Sequence, residues 1–204
     1  MTDTKHYKKT FILILTSLIL FAPMMTIQSE AQTLLPYQDE TLPIETRVKD
    51  ALSRMTLKEK CRLSYAQSKF SSPGCPRLGI PELWMSDGPH GVRMEINWNN
   101  WGWAGWTNDS VTAFPALTAL AATWEPQFAM LYGKSVGEEA RYRKKGVLLG
   151  PGVNIYRTPL NGRNFEYMGE DPYLASAMAV PYIQGLQKNG VACCVKHFIF
   201  NDQD

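Results

Sequence analysis

The pattern of hydrophobic and polar positions predicts that two short helices begin the fold. Apolar residues recur at Ile44, Val48, Leu52 and Met55, which is the spacing of one helix face. A capping-box sequence then runs over Thr56–Glu59, which predicts the start of a second helix.

Farther along the chain, apolar runs predict strands that alternate with helices. The runs are Leu83–Ser86, Val147–Leu149 and Val191–Phe198, and each leads into glycine-rich or polar sequence. Long helical patterns lie between them, from Pro126 to Gly146 and from Pro172 to Lys188. Strands that alternate with helices predict an α/β fold with a parallel sheet.

The first long helix has a predicted apolar stripe of large side chains. Phe128, Leu131, Tyr132 and Val136 recur at helical spacing, so we expect them to face the core. Gly146 follows two lysines, and this arrangement predicts the end of the helix there.

The N-terminus has the features of an export signal. Lysines precede the apolar run Phe11–Phe21. The sequence Ser29-Glu30-Ala31 then places small residues where signal peptidase requires them. We predict a signal peptide over residues 1–31, a polar tail over 32–43 and one domain over 44–204. The mature protein would then be secreted or periplasmic and free of the membrane, with an uncleaved N-terminal anchor as the alternative.

Composition and charge exclude several classes of partner. The chain has 21 Lys and Arg against 19 Asp and Glu, so it offers no strong field for nucleic acid or an anionic membrane. No metal-ligand spacing, phosphate-binding loop or nucleophile elbow is present, and we predict no metal and no cofactor.

The four cysteines are too few for a disulfide scaffold. Cys193 and Cys194 are adjacent in an apolar run and are predicted to be small buried hydrophobic side chains. Cys61 and Cys75 could form a disulfide in an oxidising compartment, and the sequence leaves that pairing open.

Polar side chains follow each predicted strand. Asp87 ends the first, the loop Asn154–Asp171 follows the second, and Lys196 and His197 end the third. Because ligands of parallel α/β folds bind at the carboxyl ends of the strands, these residues predict one polar binding site.

Structural alternatives exist for each of these groups. Asp87 could organise its own loop as an Asx turn, and the arginines and glutamate of the second loop could brace that loop. His197 could be a packed, hydrogen-bonded core histidine. Lys196 and His197 are neighbours, so both can reach one ligand only where the backbone departs from regular strand geometry.

Four tryptophans crowd the glycine- and asparagine-rich loop after the first strand. Trp98, Trp101, Trp103 and Trp106 fit no helical stripe. Their indole faces could pack on the C–H faces of a sugar ring, or they could form a small satellite core under the loop.

Taken in order, four motifs resemble a known family. SDGPHGVR, TAFP, LGPGVNIYRTPLNGRNFEYMGEDPYLA and VKHF resemble the N-terminal domain of glycoside hydrolase family 3, the β-glucosidase and β-xylosidase family. The resemblance implies a partial (β/α)8 TIM-barrel-like domain. It also implies a retaining enzyme that removes terminal non-reducing β-D-glycosyl residues from oligosaccharides or β-glycosides.

The resemblance also implies roles for individual residues. Asp87 matches the aspartate that holds hydroxyls of the terminal sugar, and Arg93 lies beside it. Arg163, Lys196 and His197 match further sugar-binding residues. Supporting roles are implied for Arg157 and Glu166, and a cis peptide is implied between Lys196 and His197.

The catalytic carboxylates of the family have no counterpart in the motifs present. Retaining hydrolysis needs a nucleophile and an acid/base about 5 to 5.5 Å apart. We expect both beyond Asp204, which itself is not predicted to be the nucleophile. The part after residue 31 is also shorter than the roughly 200 residues of the smallest complete barrels.

We therefore expect the sequence to stop partway through the barrel. The full-length parent would be a β-glucosidase-like hydrolase, and this chain alone would be inactive and would depend on the remainder of the same polypeptide. The alternatives are a sugar-binding module without catalysis, a non-functional fragment, and β-xylosidase specificity in the parent.

Overall fold

The computed structural model describes residues 34–107 and 109–202. The chain forms two compact units, one up to Ala51 and one from Leu52 onward. The helices and strands, in chain order, are α1 Ile44–Arg54, α2 Leu57–Leu63, β1 Ser71–Ser72, β2 Leu83–Asp87, α3 Leu117–Ala121, α4 Pro126–Tyr142, β3 Val147–Leu149, α5 Pro172–Gln187 and β4 Ala192–Cys193. Short 3-10 turns lie at Pro36–Gln38, Pro76–Leu78 and Asn164–Glu166. The predicted signal peptide lies outside the described residues.

Both predicted N-terminal helices form. At the start of α2, the backbone N–H of Glu59 donates to Oγ1 of Thr56 (3.3 Å), and Oε2 of Glu59 accepts from the backbone of Thr56 (2.8 Å). This pair is the predicted capping box. Of the predicted apolar stripe, only Met55 is buried, since Ile44, Val48 and Leu52 are between 44% and 71% exposed.

The sheet confirms the predicted parallel α/β arrangement. Its strand order is β1-β2-β3-β4, with β2, β3 and β4 mutually parallel and β1 antiparallel at one edge. Ser86 pairs with Leu148, and Leu148 pairs with Cys193. The carboxyl ends of the three parallel strands therefore meet at one edge of the sheet.

The third predicted strand is much shorter than expected. The apolar run Val191–Phe198 forms a strand over Ala192–Cys193 alone, followed by a single parallel bridge between Gly152 and Lys196. The run is apolar almost throughout, so its periodicity could not locate the point where the regular strand ends. Cys193 is half-buried but Cys194 is exposed, so the predicted burial of Cys194 is wrong. Cys61 and Cys75 are both free thiols.

The main core lies where α4 packs against α5, and its composition corrects the predicted stripe. Tyr132 and Val136 are buried as expected, but Phe128 and Leu131 are 54% and 57% exposed. The buried face of α4 consists largely of small residues, namely Ala129, Gly133, Gly137 and Ala140. Small side chains let the two helix backbones approach closely, so the larger apolar residues are left outside the contact.

Helix α4 also ends earlier than predicted. Its last residue is Tyr142, and Lys144 adopts a left-handed conformation (φ 59°) at the turn that follows. Gly146 instead lies under Leu83, where a Cβ would approach that side chain to 2.8 Å. Because Gly146 has no side chain, Leu83 of β2 can pack directly against this segment. In residues 34–107 and 109–202, no helix combines the length and apolar character needed to cross a bilayer.

The close approach of α4 and α5 predicts an unusual response to Gly133→Ala. A helical Gly→Ala change normally stabilises by about 1 kcal/mol. Here the new Cβ would lie 2.0 Å from the carbonyl oxygen of Tyr182. We expect a loss of about 1–3 kcal/mol in the free energy of unfolding, measured by urea titration.

The matched control is Lys134→Ala, which changes an exposed neighbour on the same helix. Its effect should stay within about 0.5 kcal/mol. A stabilising Gly133→Ala change would contradict the packing described here.

Candidate functional site

The carboxylate of Asp87, the last residue of β2, lies at the centre of the candidate site. Its Oδ1 accepts hydrogen bonds from the backbone of Gly88 (3.0 Å) and from Nζ of Lys196 (2.9 Å). Its Oδ2 lies 3.7 Å from Nη1 of Arg93. The charge-pairing interpretation of Asp87 therefore describes contacts that it makes. The predicted Asx turn is wrong, because the residue two positions on is Pro89, which has no N–H, and the carboxylate bonds to Gly88 instead.

Lys196 joins the first and third parallel strands. Its ammonium group contacts Asp87 and also lies 3.2 Å from Oε2 of Glu166, and its side chain is 12% exposed. The backbone N–H of Lys196 donates to the carbonyl of Pro151 (3.0 Å), which fixes it beside the loop after β3. The peptide bond between Lys196 and His197 is cis, as the family resemblance implied.

Glu166 and Arg163 extend this network across the loop after β3. Oε1 of Glu166 accepts from Nε of Arg163 (2.7 Å), and Nη2 of Arg163 lies 2.7 Å from Nε2 of His197. Oε2 of Glu166 is buried and has no aligned hydrogen bond, although Lys196 lies within ion-pair distance. The predicted Arg–Glu brace of the loop is thus present, and it is continuous with Asp87 through Lys196.

The partners of His197 indicate the tautomer of its neutral ring. A guanidinium group only donates, so Nε2 of His197 accepts from Arg163 and the proton of the neutral ring lies on Nδ1. Nδ1 then donates to the hydroxyl of Tyr167 (2.9 Å), which also accepts from the amide of Asn201 (2.7 Å). The backbone N–H of His197 donates to the amide oxygen of Asn154 (2.6 Å).

These contacts match the hydrogen-bonded part of the predicted alternative, but His197 is only half-buried and is not a core histidine. Direct contact of His197 with a sugar stays a prediction. Asn154, Tyr167 and Asn201 had no predicted role. They lie within or beside the quoted motifs, but amide and phenol groups give no charge or spacing signal that would single them out.

A cavity of about 290 Å³ opens over the charged groups. It is close to the lower end of the roughly 300–1,000 Å³ range of small-molecule sites. Its lining combines the charged network with backbone and aromatic groups, namely Asp87, Gly88, Pro89, His90, Arg93, Phe165, Glu166 and Lys196. We call this cavity the polar cup. At its rim the His90 ring stacks on Phe165, with centroids 5.5 Å apart.

Two carboxylates of the polar cup are held in their ionised forms. Burial alone would raise the pKa of Asp87, but the hydrogen bond and charge of Lys196 outweigh it, and the pKa is lowered. Burial likewise opposes ionisation of Glu166, but the hydrogen bond from Arg163 and the charge of Lys196 lower its pKa. Burial also lowers the pKa of His90.

Other predicted residues lie apart from the polar cup. Nε of Arg157 pairs with the carboxylate of Asp202 (3.3 Å), and its side chain is 56% exposed. Arg157 does not line the polar cup, but it lines another cavity of about 290 Å³ together with Lys196 and His197. Its predicted supporting role stays a prediction. Asp204 lies outside the described residues. Among residues 34–107 and 109–202, no three histidine, cysteine or acidic side chains are grouped to hold a metal ion.

The four loop tryptophans are exposed rather than packed in a satellite core. Trp98, Trp101, Trp103 and Trp106 are between 46% and 60% exposed. Trp98 makes an edge contact with Trp84, at 5.8 Å between centroids. None of the four is buried, so the satellite-core interpretation is wrong as a description of a closed core. Each side chain is partly packed and partly open to solvent, and cations lie over the ring of Trp101.

Comparison with known sequences identifies the domain type. Residues 56–203 match the glycosyl hydrolase family 3 N-terminal domain. The chain is 71% identical over 196 residues to β-glucosidase BoGH3A of Bacteroides ovatus, covering 96% of this chain and 26% of that protein. It is 41% identical over 154 residues to an exo-α-(1→6)-L-arabinopyranosidase of Bifidobacterium longum, covering 74% and 20%.

Comparison with solved structures gives the same result. β-Glucosidase 3B of Thermotoga neapolitana, determined in complex with glucose, superposes with a TM-score of 0.67 at 37% identity. The match covers 76% of this chain and 23% of that one. The chain thus spans about a quarter of the length of these relatives.

The charged network predicts a pH-dependent effect of Glu166→Gln. The folded-state pKa of Glu166 is lowered from 4.5, so its ionised form stabilises the fold above that pH. This stabilisation is lost as the pH falls through the lowered value. We expect the variant to lose about 1–3 kcal/mol of unfolding free energy near pH 7.

The difference from the original protein should shrink toward about pH 3, measured by urea titration at both pH values. Glu138→Gln is the control, because Glu138 is 58% exposed and should show little effect at either pH. An equal loss at both pH values would show that the charge of Glu166 is not the stabilising element.

Proposed function

The chain belongs to glycosyl hydrolase family 3, and we propose that its polar cup binds the terminal sugar of a β-glucoside for hydrolysis by the complete enzyme. The observation that carries this proposal is the contact of one ammonium group, that of Lys196, with both Asp87 and Glu166. Paired carboxylates and cations around a small cavity offer acceptors and donors to neighbouring hydroxyls of one ring.

We assign Asp87 and Glu166 to binding rather than to acid catalysis. A general acid must carry a proton near the working pH, which requires a raised carboxyl pKa. The pKa values of Asp87 and Glu166 are both lowered. The proton donor for the leaving group must therefore be a different residue. We propose that it and the nucleophile belong to other parts of the complete enzyme.

Glucose is the proposed terminal sugar, because relatives named β-glucosidase include one that is 71% identical. A relative named as an arabinopyranosidase, at 41% identity, shows that related sequences carry other specificities. Xylose is the second candidate from the family resemblance. Direct comparison of the two sugars decides between them.

A binding experiment tests the role of Asp87. We expect saturable heat when glucose is titrated into the 204-residue chain, with weaker heat for xylose. Asp87→Ala removes a charged acceptor and should weaken glucose binding about 10- to 100-fold. Glu138→Ala, at an exposed site on α4, should leave the affinity unchanged.

Activity measurements test whether the catalytic groups lie in parts of the enzyme other than the 204-residue chain. Hydrolysis of an aryl β-glucoside should be seen with the complete enzyme and not with the 204-residue chain. Turnover by the chain that disappears in an Asp204 variant would contradict the proposal. So would glucose binding that is insensitive to Asp87→Ala.

We also propose that the protein is exported through an N-terminal signal, on the basis of the lysines and apolar run in residues 1–31. Cleavage after Ala31 would leave Gln32 as the first residue of the mature protein. N-terminal sequencing of protein recovered from the periplasm or medium checks this. Deletion of residues 11–21 should retain the protein in the cytoplasm, and export that survives the deletion would exclude the signal.

A further inference from the structure

A second cavity adjoins the polar cup, and the two share one side chain. This cavity measures about 550 Å³, and Arg93, Trp101 and Trp103 lie in its wall with several apolar residues. Arg93 also lines the polar cup, where it pairs with Asp87. A ligand that extends beyond the cup past Arg93 would therefore meet the two indole rings.

The two tryptophans differ in how they are held. Two cations lie over the Trp101 ring, namely Nζ of Lys69, 4.8 Å from the centroid, and the guanidinium carbon of Arg93, 5.6 Å away. Phe70 contacts Trp101 edge-on at 5.8 Å. The backbone of Trp103 bridges to Ile96 across the loop. Both indoles are nevertheless more than half exposed, at 60% and 58%.

The tryptophan loop, which we define as residues 94–107, is anchored at both ends by buried charges. Near its start, Glu95 pairs with Nζ of Lys145 (2.6 Å). Just beyond its end, the fully buried side chain of Asp109 accepts from Nη1 of Arg143 (2.7 Å) and from the backbone of Glu95 (2.6 Å). The two ends of the loop are thus held in place without a ligand, which reduces the entropy lost on binding.

We infer that Trp101 and Trp103 bind the group attached to the terminal sugar, that is, the leaving-group sugar or aryl ring of the substrate. This inference rests on the proposed function of the polar cup. The charged cup suits the hydroxyls of one ring, whereas the adjoining cavity offers indole faces that pack on the C–H face of a second ring. Arg93, between the cavities, can donate to the oxygen atoms near the linkage.

The inference predicts a change in specificity rather than a general loss of activity. In the complete enzyme, Trp101→Ala combined with Trp103→Ala should lower kcat/KM for a β-linked glucose disaccharide about tenfold. Methyl β-glucoside has almost no leaving-group surface, so its kcat/KM should change less than about twofold. Inhibition by free glucose should also be unchanged, because glucose fills the polar cup alone.

Trp124→Ala is the matched control, since Trp124 is 70% exposed and lies outside both cavities. It should not alter the ratio of disaccharide to methyl glucoside activity. Trp101→Phe with Trp103→Phe keeps a flat apolar face and should recover most of the disaccharide activity. Circular dichroism and thermal melting confirm that each variant folds.

The outcomes separate this inference from the function on which it rests. If the double variant loses kcat/KM equally on both substrates, or on neither, the inferred role of the tryptophans is wrong. The proposed binding of the terminal sugar in the polar cup is not affected by that result. Asp87→Ala, by contrast, should impair both substrates and glucose inhibition together. If the unmodified enzyme hydrolyses no β-glucoside and binds no glucose, the proposed function fails, and the inference about the tryptophans fails with it.

Discussion

The ammonium group of Lys196 is the interaction on which the candidate site depends. It lies within 3.2 Å of carboxylate oxygens from Asp87 and Glu166, which come from the end of β2 and from the loop after β3. A buried ion without partners would be strongly unfavourable, so each charge requires the other two segments to stay in place. The parallel sheet brings the three segments to one edge, and the ion pairs then fix their side chains.

The sequence predicted the ends of β2 and β3 well, because Asp87–Gly88–Pro89 and Gly150–Pro151–Gly152 are strong turn signals. The end of β4 has no such signal, and its predicted strand is too long. The sequence predicted the helix contact poorly. Hydrophobic periodicity predicts that Phe128 and Leu131 face the core. Helix α4 instead packs through Ala129 and Gly133, because the close approach of the two helix backbones excludes large side chains. That geometry depends on α5 and cannot be read from α4 alone.

The same division holds for the site. Asp87 and Lys196 could be singled out because they are charged residues at the ends of predicted strands, and the role of Arg163 was implied by the family resemblance. Asn154 and Tyr167 orient His197 through neutral hydrogen bonds, and such groups occur in many loops without any ligand. Arg157 has the charge and the motif position, but it pairs with Asp202 and not with a carboxylate of the polar cup. Its supporting role therefore stays a prediction.

The charge balance of the polar cup bears on the kind of ligand it can accept. Three cations, Lys196, Arg93 and Arg163, are paired with two carboxylates, Asp87 and Glu166, so each cation has an anionic partner and one positive charge is in excess. An anionic ligand would be attracted by that excess charge, but it would compete with the carboxylates for the same donors. An uncharged ring with several hydroxyls can instead donate to the carboxylates and accept from the cations while every ion pair remains. The network can therefore hold a neutral, hydroxyl-rich ligand through hydrogen bonds without breaking an ion pair.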